Sequence, residues 1–152
     1  MNQISRAPEA APPAATLGFL INDVARLLRR RFETALEAVG LELTAGEART
    51  LAFVATYPGI RQSLLAERMG VEPMTLVGFL DRLAARDLIV RETDPTDRRA
   101  KIVVLQPAAD AIVREVQAIG RSVREKATAE VSPEDVETAR RVLTAMRAVL
   151  AE

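Results

Sequence analysis

The side chains best suited to hold a polyanion fall in two short stretches. Asp97, Arg98 and Arg99 belong to the segment Asp94-Pro95-Thr96-Asp97-Arg98-Arg99, and Thr75, Val77 and Arg82 lie between Met74 and Arg82. A guanidinium stays charged at physiological pH and offers a planar fork of donors to phosphate oxygens or the edge of a guanine, while a threonine hydroxyl hydrogen-bonds a base edge or a phosphate. Val77 offers an apolar surface that fits a thymine methyl. The chain has no cysteine, histidine or tryptophan, so thiol redox chemistry, histidine metal sites and imidazole acid–base catalysis are excluded. No carboxylate sits in a pattern that marks a catalytic centre, and the reading is a non-enzyme without cofactor, metal or catalytic residues. Lysine plus arginine (21) balance aspartate plus glutamate (21), with a pI near 6.4. Any nucleic-acid binding must therefore come from locally placed arginines.

These groups need a frame. Two apolar runs, Leu88-Ile89-Val90 and Ile102-Val103-Val104-Leu105, flank the arginine-bearing segment and read as the strands of a β-hairpin held by Val90, Ile102 and Val104. Elsewhere the chain reads as helix. Apolar residues from Leu17 through Leu20, Val24, Leu28 and Phe32 to Val39 follow helical spacing and predict a first helix over about 16–39, ended by Gly40. Thr44-Ala45-Gly46-Glu47 is a capping box that opens a second helix, ended by Tyr57-Pro58-Gly59. Pro107 predicts the first turn of a long helix with a seam at Ile112, Val116, Ile119 and Val123. Ser132-Pro133-Glu134-Asp135 joins an N-cap serine to a first-turn proline and two acids suited to the helix dipole, and starts a last helix through Val136, Leu143, Met146 and Leu150. Residues 1–15, with Pro8, Pro12 and Pro13, read as a disordered Ala/Pro-rich arm. No apolar run approaches the roughly 18 residues of a membrane span, and the N-terminus lacks the order of a signal peptide, so a cytoplasmic protein with no membrane partner is expected.

Between Gly59 and the hairpin, Ala66, Gly70, Leu76 and Phe79 have helix-turn-helix spacing. A small residue lets two helices cross closely, glycine takes the turn, and apolar anchors set the angle. Leu65, Met69 and Val71 fill the remaining core positions. The second of these helices starts at Glu72-Pro73, buries Leu76, Phe79, Leu80 and Leu83, and turns Met74, Thr75, Val77, Gly78, Asp81, Arg82 and Arg86 outward. On a purely solvated face Arg82 and Arg86 would pair with Asp81 and Asp87. A helix-turn-helix followed at once by a two-stranded hairpin is a winged helix-turn-helix, mostly α with a small β-wing. Arg26, Arg29, Arg30 and Arg31 form a basic cluster that reads as a solvated helix face with Arg29 near Glu33, the alternatives being a brace for a dimer or a contact for an acidic effector.

The stretch from Leu65 to Val77, then Leu80-Asp81-Arg82-Leu83, Asp87-Leu88-Ile89 and Asp94 through Lys101, resembles the MarR family of transcriptional regulators, closest to its SlyA-like branch, over about residues 16–150. The most specific element is Asp97-Arg98-Arg99-Ala100-Lys101 ending in Leu105, which matches the wing signature of an acid, any residue, an arginine, five residues and a leucine. The resemblance implies a homodimer with interlocked first and last helices on a pseudo-palindromic operator of double-stranded DNA. It also implies a repressor released by a small-molecule effector. Carried over, Arg99 is the minor-groove arginine, Asp97 the acid that orients it, and Gln62, Ser63, Thr75 and Arg82 the backbone and groove contacts. Val77, Gly78 and Arg98 complete the expected DNA-binding set. The effector would sit between the first helix, the second helix and the helix after the wing, near Leu20, Val24, Leu51 and Ile112. Two departures stand out: Gly78 replaces an arginine common in relatives, and Gln106 and Ala109 replace the usual threonine and glycine after the wing.

Physics favours Arg99 independently, because an A·T-rich minor groove is narrow and electronegative and a hairpin-tip guanidinium is easily desolvated there. Its plain alternative is an exposed arginine paired with Asp97. The expected organisation is one domain over 16–152, with a DNA-binding core at about 41–106 and dimerisation helices at about 16–39 and 107–151. A winged core of about 60 residues cannot cover every apolar face of the long flanking helices, which argues for a dimer. The alternative from another class is a winged-helix protein-interaction module without DNA binding, favoured by the neutral charge and Gly78.

Overall fold

The structure, a computed structural model, describes residues 15–151, and the expected arm lies outside the described residues apart from Ala15. Four helices, α1 (Leu17–Val39), α2 (Ala45–Thr56), α3 (Gln62–Met69) and α4 (Pro73–Ala85), precede a hairpin of β1 (Ile89–Asp94) and β2 (Asp97–Leu105). A 3-10 turn (Pro107–Ala109) leads into α5 (Asp110–Ala127), and α6 (Pro133–Leu150) follows. This is the mostly helical chain with a two-stranded wing that the sequence predicts. Among the described residues no helix is long and apolar enough to cross a membrane.

Local chemistry sets the helix ends. Gly40 stops α1 in the left-handed region at φ 71, where a side chain would be strained. In the capping box of α2, Thr44 Oγ1 accepts from the Glu47 N–H at 3.2 Å and Glu47 Oε2 accepts from the Thr44 N–H at 2.9 Å. Ser132 caps α6 by accepting from the Asp135 N–H. Pro107 departs from expectation: the Ala109 N–H returns to the Gln106 carbonyl, so the proline opens a 3-10 turn and α5 starts only at Asp110.

The winged core closes α2, α3, α4 and the sheet around Leu51, Leu65, Leu76, Leu80, Leu83 and Val103, none of which retains exposed surface. A second cluster joins Leu36 of α1 and Ala48 of α2 to Val116 and Ile119 of α5. Three of the four seam residues of α5, Ile112, Val116 and Ile119, are therefore used inside the protomer, because α5 lies across α1 and α2, whereas Val123 is half-buried and faces open space. No residue of α6 is buried, and Val142, Leu143, Val149 and Leu150 stand 47% to 81% exposed. Leu17, Phe19 and Val24 in the first half of α1 are uncovered as well.

The antiparallel register pairs Ile89 with Leu105 and Arg91 with Val103. Ile89 and Val103 point inward and are buried, whereas Val90, Ile102 and Val104, the expected anchors, are half-buried. The Val103 N–H donates to the Ile60 carbonyl at 3.0 Å, and Arg61 bridges Ile102, which binds the wing to the start of α3.

Candidate nucleic-acid interface

The helix-turn-helix forms as its residue types require. Gly70 takes φ 63 after Met69, and the Val71 N–H returns to the Ala66 carbonyl at 3.1 Å, closing α3. Pro73 then starts α4. Leu76, Leu80 and Leu83 face the core, Met74 and Thr75 are exposed, and Val77 and Gly78 lie half-buried at the edge. Phe79 is also half-buried, for a reason outside its own helix: its ring covers Gly46 of α2, where an added Cβ would lie 2.2 Å from Phe79 Cζ. Only glycine permits that approach.

Arg82 differs from expectation. Its Nε donates to Glu47 Oε1, and its guanidinium carbon lies 5.6 Å from the centre of the Phe79 ring. The second half of α4 runs beside the start of α2, so the capping-box glutamate is its partner, and neither Asp81 nor Asp87 is. Burial opposes ionisation of the Glu47 carboxyl, but the hydrogen bonds from Arg82 and Thr44 outweigh it and hold its pKa below the ordinary value. Asp81 instead accepts from Arg91 at 2.7 Å, Arg86 donates to the Glu42 carbonyl, and Asp87 ends α4 at φ 56.

At the wing, buried Asp94 organises the tip. Its Oδ1 accepts from the Thr96 N–H and hydroxyl, both at 2.7 Å, and its Oδ2 accepts from Arg61 Nε at 2.5 Å. Arg61 Nη2 also donates to Thr96 Oγ1 at 3.2 Å. The Thr96 hydrogen bonds, seconded by Arg61, pull the Asp94 carboxyl down to about 2. Since Arg61 is the N-cap residue of α3, the wing tip is tied to the helix-turn-helix. The sequence reading did not single out Arg61, Asp94 or Thr96 as a unit. The Asp-x-Thr spacing of an Asx turn is the one local signal for it.

Asp97 Oδ1 accepts from the backbone N–H of Arg99 at 3.0 Å. It orders the chain beneath Arg99 without holding the guanidinium. Among the described residues no carboxylate lies within 4.0 Å of the Arg98 or Arg99 guanidinium. Gln62 and Ser63 of α3, Pro73 and Leu76 of α4, and Asp97, Arg99 and Lys101 of β2 line a cleft of about 440 Å³. Gln62, Ser63, Asp97 and Arg99 thus converge, whereas Thr75, Val77, Gly78, Arg82 and Arg98 do not line that cleft.

The expected effector residues are not brought together. Leu51 is wholly buried, Ile112 packs between the two core clusters, and Leu20 and Val24 lie on the uncovered half of α1. Only Leu51 and Ile112 of the four are taken up in packing. Open space lies instead between α1, α2 and α5, in a cleft of about 460 Å³ lined by Phe32, Phe53 and Arg49 among others, and in a neighbouring cleft of about 780 Å³ between α1 and α5 that includes Val24.

The MarR family model matches residues 43–101. The transcriptional regulator PA3341 is 30% identical, with the match covering 90% of this chain and 98% of that one at a TM-score of 0.77. The chain belongs to the MarR family. As a MarR-family protein it is a transcriptional regulator, which fits the absence of a catalytic pattern in the sequence. Wild-type apo MarR from E. coli is 25% identical over 87% of this chain and 97% of its own, at a TM-score of 0.70. CouR from Rhodococcus jostii RHA1, solved bound to p-coumaroyl-CoA, shares the fold at 21% identity and a TM-score of 0.72, covering 90% of this chain and 95% of that one.

Proposed function

We propose that this MarR-family chain is a cytoplasmic, sequence-specific DNA-binding repressor that acts as a homodimer on a pseudo-palindromic operator and is released by a small molecule. The observation that carries the reading is the convergence of Gln62, Ser63 and Arg99 on one exposed cleft, with the Arg98 and Arg99 guanidinium groups free of carboxylates among the described residues. In this reading α4 enters the major groove with Thr75 and Val77 foremost, and Arg99 enters the adjacent minor groove. The uncovered apolar faces of α1 and α6 support the homodimer. The cleft between α1, α2 and α5 supports the effector, as does the small molecule held by CouR, a protein of the same fold.

One observation favours a second reading, an interaction module without DNA binding: Arg82, the recognition-helix cation, is engaged by Glu47, and Gly78 supplies no charge. Selection of fragments from a random DNA pool by the purified protein, followed by a salt titration, separates the two. An operator reader enriches a pseudo-palindrome, with affinity falling by a log–log slope of about −0.9 per phosphate contact. No enrichment and no slope would establish the module instead.

A further inference from the structure

One guanidinium joins the α1–α2–α5 cleft to the helix-turn-helix. Arg49 of α2 lines the cleft, and its Nη2 donates to the main-chain carbonyl of Met69 at 3.1 Å. Met69 is the last residue of α3, so its carbonyl is among those the helix leaves without an internal partner, and a cation there also meets the negative end of the helix dipole. The next residue, Gly70, starts the turn into α4. Thr50, next to Arg49, touches the same residue through Oγ1, 3.7 Å from Met69 Sδ. The second helix thus grips the turn by Met69, and Arg49 is the part of that grip which also faces the cleft.

The cleft is unbalanced in charge. Arg29, Arg121 and Arg124 line it together with Arg49, and among the described residues none of the four has a carboxylate within 4.0 Å. Burial and repulsion from Arg29 push the Arg49 pKa down, and Glu33 offsets part of this. Phe32 and Phe53 supply apolar wall between the charges. A ligand that satisfies such a site carries several negative charges on an aromatic or otherwise apolar body.

We infer that the effector is an anion of at least two charges, and that it acts through Arg49, drawing the guanidinium off the Met69 carbonyl and loosening the turn that sets the recognition helix. The inference rests on the reading of effector-released DNA binding. A carboxylate adds a full negative charge and a bidentate acceptor to which the planar guanidinium fork is matched, whereas the Met69 carbonyl offers Arg49 a single neutral acceptor through Nη2, so a carboxylate on the cleft side competes for the guanidinium and draws it from Met69. The anion then favours the conformer in which Arg49 has left the turn. Linkage requires the reverse as well: bound operator weakens the anion by the same factor.

Benzoate, isophthalate and trimesate place one, two and three carboxylates on the same ring, and benzamide is the neutral control. Calorimetry on the intact protein should show affinity rising with charge and none for benzamide. Saturating isophthalate should weaken binding to the selected DNA fragment by roughly tenfold, within the usual range of allosteric coupling. Arg121→Met should weaken isophthalate several-fold and still release DNA fully at saturation, whereas Arg49→Met, which lacks the grip on Met69, should bind DNA more weakly than wild type without any anion and lose no further DNA affinity when saturated with isophthalate. Wild-type protein that binds DNA but is indifferent to isophthalate overturns this inference alone. Release by Arg49→Met equal to that of wild type overturns it too. Protein that binds no DNA fragment sinks the operator reading and this inference with it. If Arg49→Met does not fold, the reciprocal weakening of isophthalate by bound DNA decides with the wild-type chain: its presence supports the coupling and its absence refutes it.

Discussion

Arg82 of α4 donates to Glu47 of α2 across 35 residues of sequence, and the same carboxylate closes the capping box on Thr44. One buried group thus fixes the start of α2 and the second half of the recognition helix. The side chain of Glu47 is 7% exposed, so removing Arg82 leaves a buried carboxylate short of a donor. Arg82→Ala should cost about 1 to 3 kcal/mol in denaturant unfolding, and Glu47→Gln, which keeps an acceptor for Thr44, should cost less. In the double variant the costs should be less than additive; strict additivity would show that the pair is not coupled. The Glu47 pKa is lowered on folding, so the pair's contribution is present above the ordinary carboxyl value of 4.5 and is lost as pH falls through the lower folded value.

The wing tip answers to Asp94. With a folded pKa of about 2 against an ordinary 3.8, Asp94 stabilises the tip above pH 3.8, and the contribution fades as pH falls toward 2. The amide resonance of Thr96 should therefore titrate with a midpoint near 2, and a midpoint near 3.8 would show that the Thr96 and Arg61 contacts do not form. Asp94→Asn should weaken operator binding together with the ordering of the tip. Arg99→Ala should weaken it without changing the fold, because Arg99 is exposed.

What was legible in the sequence was what lies within one turn. The Thr44–Glu47 box, the Ser132 cap and the Gly40 and Gly70 stops each need only three or four neighbouring residues, and each formed. The Arg82–Glu47, Arg61–Asp94 and Arg49–Met69 contacts join residues 20 to 35 positions apart, and depend on which side of a helix packs against which neighbour. The strand faces were hidden for another reason. Residues 102–105 are all apolar, so no alternation distinguishes buried Val103 from half-buried Val104. The four effector residues, taken from the family resemblance, do not meet in one cleft, because Leu51 and Ile112 pack in the core while Leu20 and Val24 lie on the uncovered half of α1.

Gly78 lies mid-helix at the edge of α4, and a Cβ there would meet only Arg82 Nη1, at 3.5 Å. Gly78→Ala should therefore stabilise the protein by about 0.5 to 1 kcal/mol. Gly78→Arg should raise DNA affinity and steepen the salt slope by about one per subunit, and Thr75→Ala should change the preference among operator variants. Silence of both in DNA binding would remove α4 from the groove.

Leu143 stands 47% exposed on a helix that buries nothing in its own protomer. If α6 is covered by a second copy, Leu143→Asp places a charge in an apolar interface and should dissociate it. Light scattering should then report a mass near 16.6 kDa for the variant and twice that for the wild type. A wild-type mass near 16.6 kDa would refute the dimer.

The contact of Gly46 with Phe79 makes the sharpest structural claim. In most helices, replacing glycine by alanine stabilises by about 1 kcal/mol. At residue 46 the new methyl would sit 2.2 Å from the Phe79 ring, far inside van der Waals contact, so either the ring or α4 must move. Such overpacking typically costs about 1 to 3 kcal/mol, which outweighs the gain in propensity. Gly46→Ala should accordingly destabilise the protein and lower operator affinity, because α4 carries the proposed reading residues. Phe79→Leu removes the ring, costing stability in the wild-type background but restoring room in the Gly46→Ala background. The double variant should therefore be more stable than the sum of its parts predicts. If Gly46→Ala proves as stable as wild type, or the two effects simply add, the approach of α2 to the recognition helix is looser than these distances require.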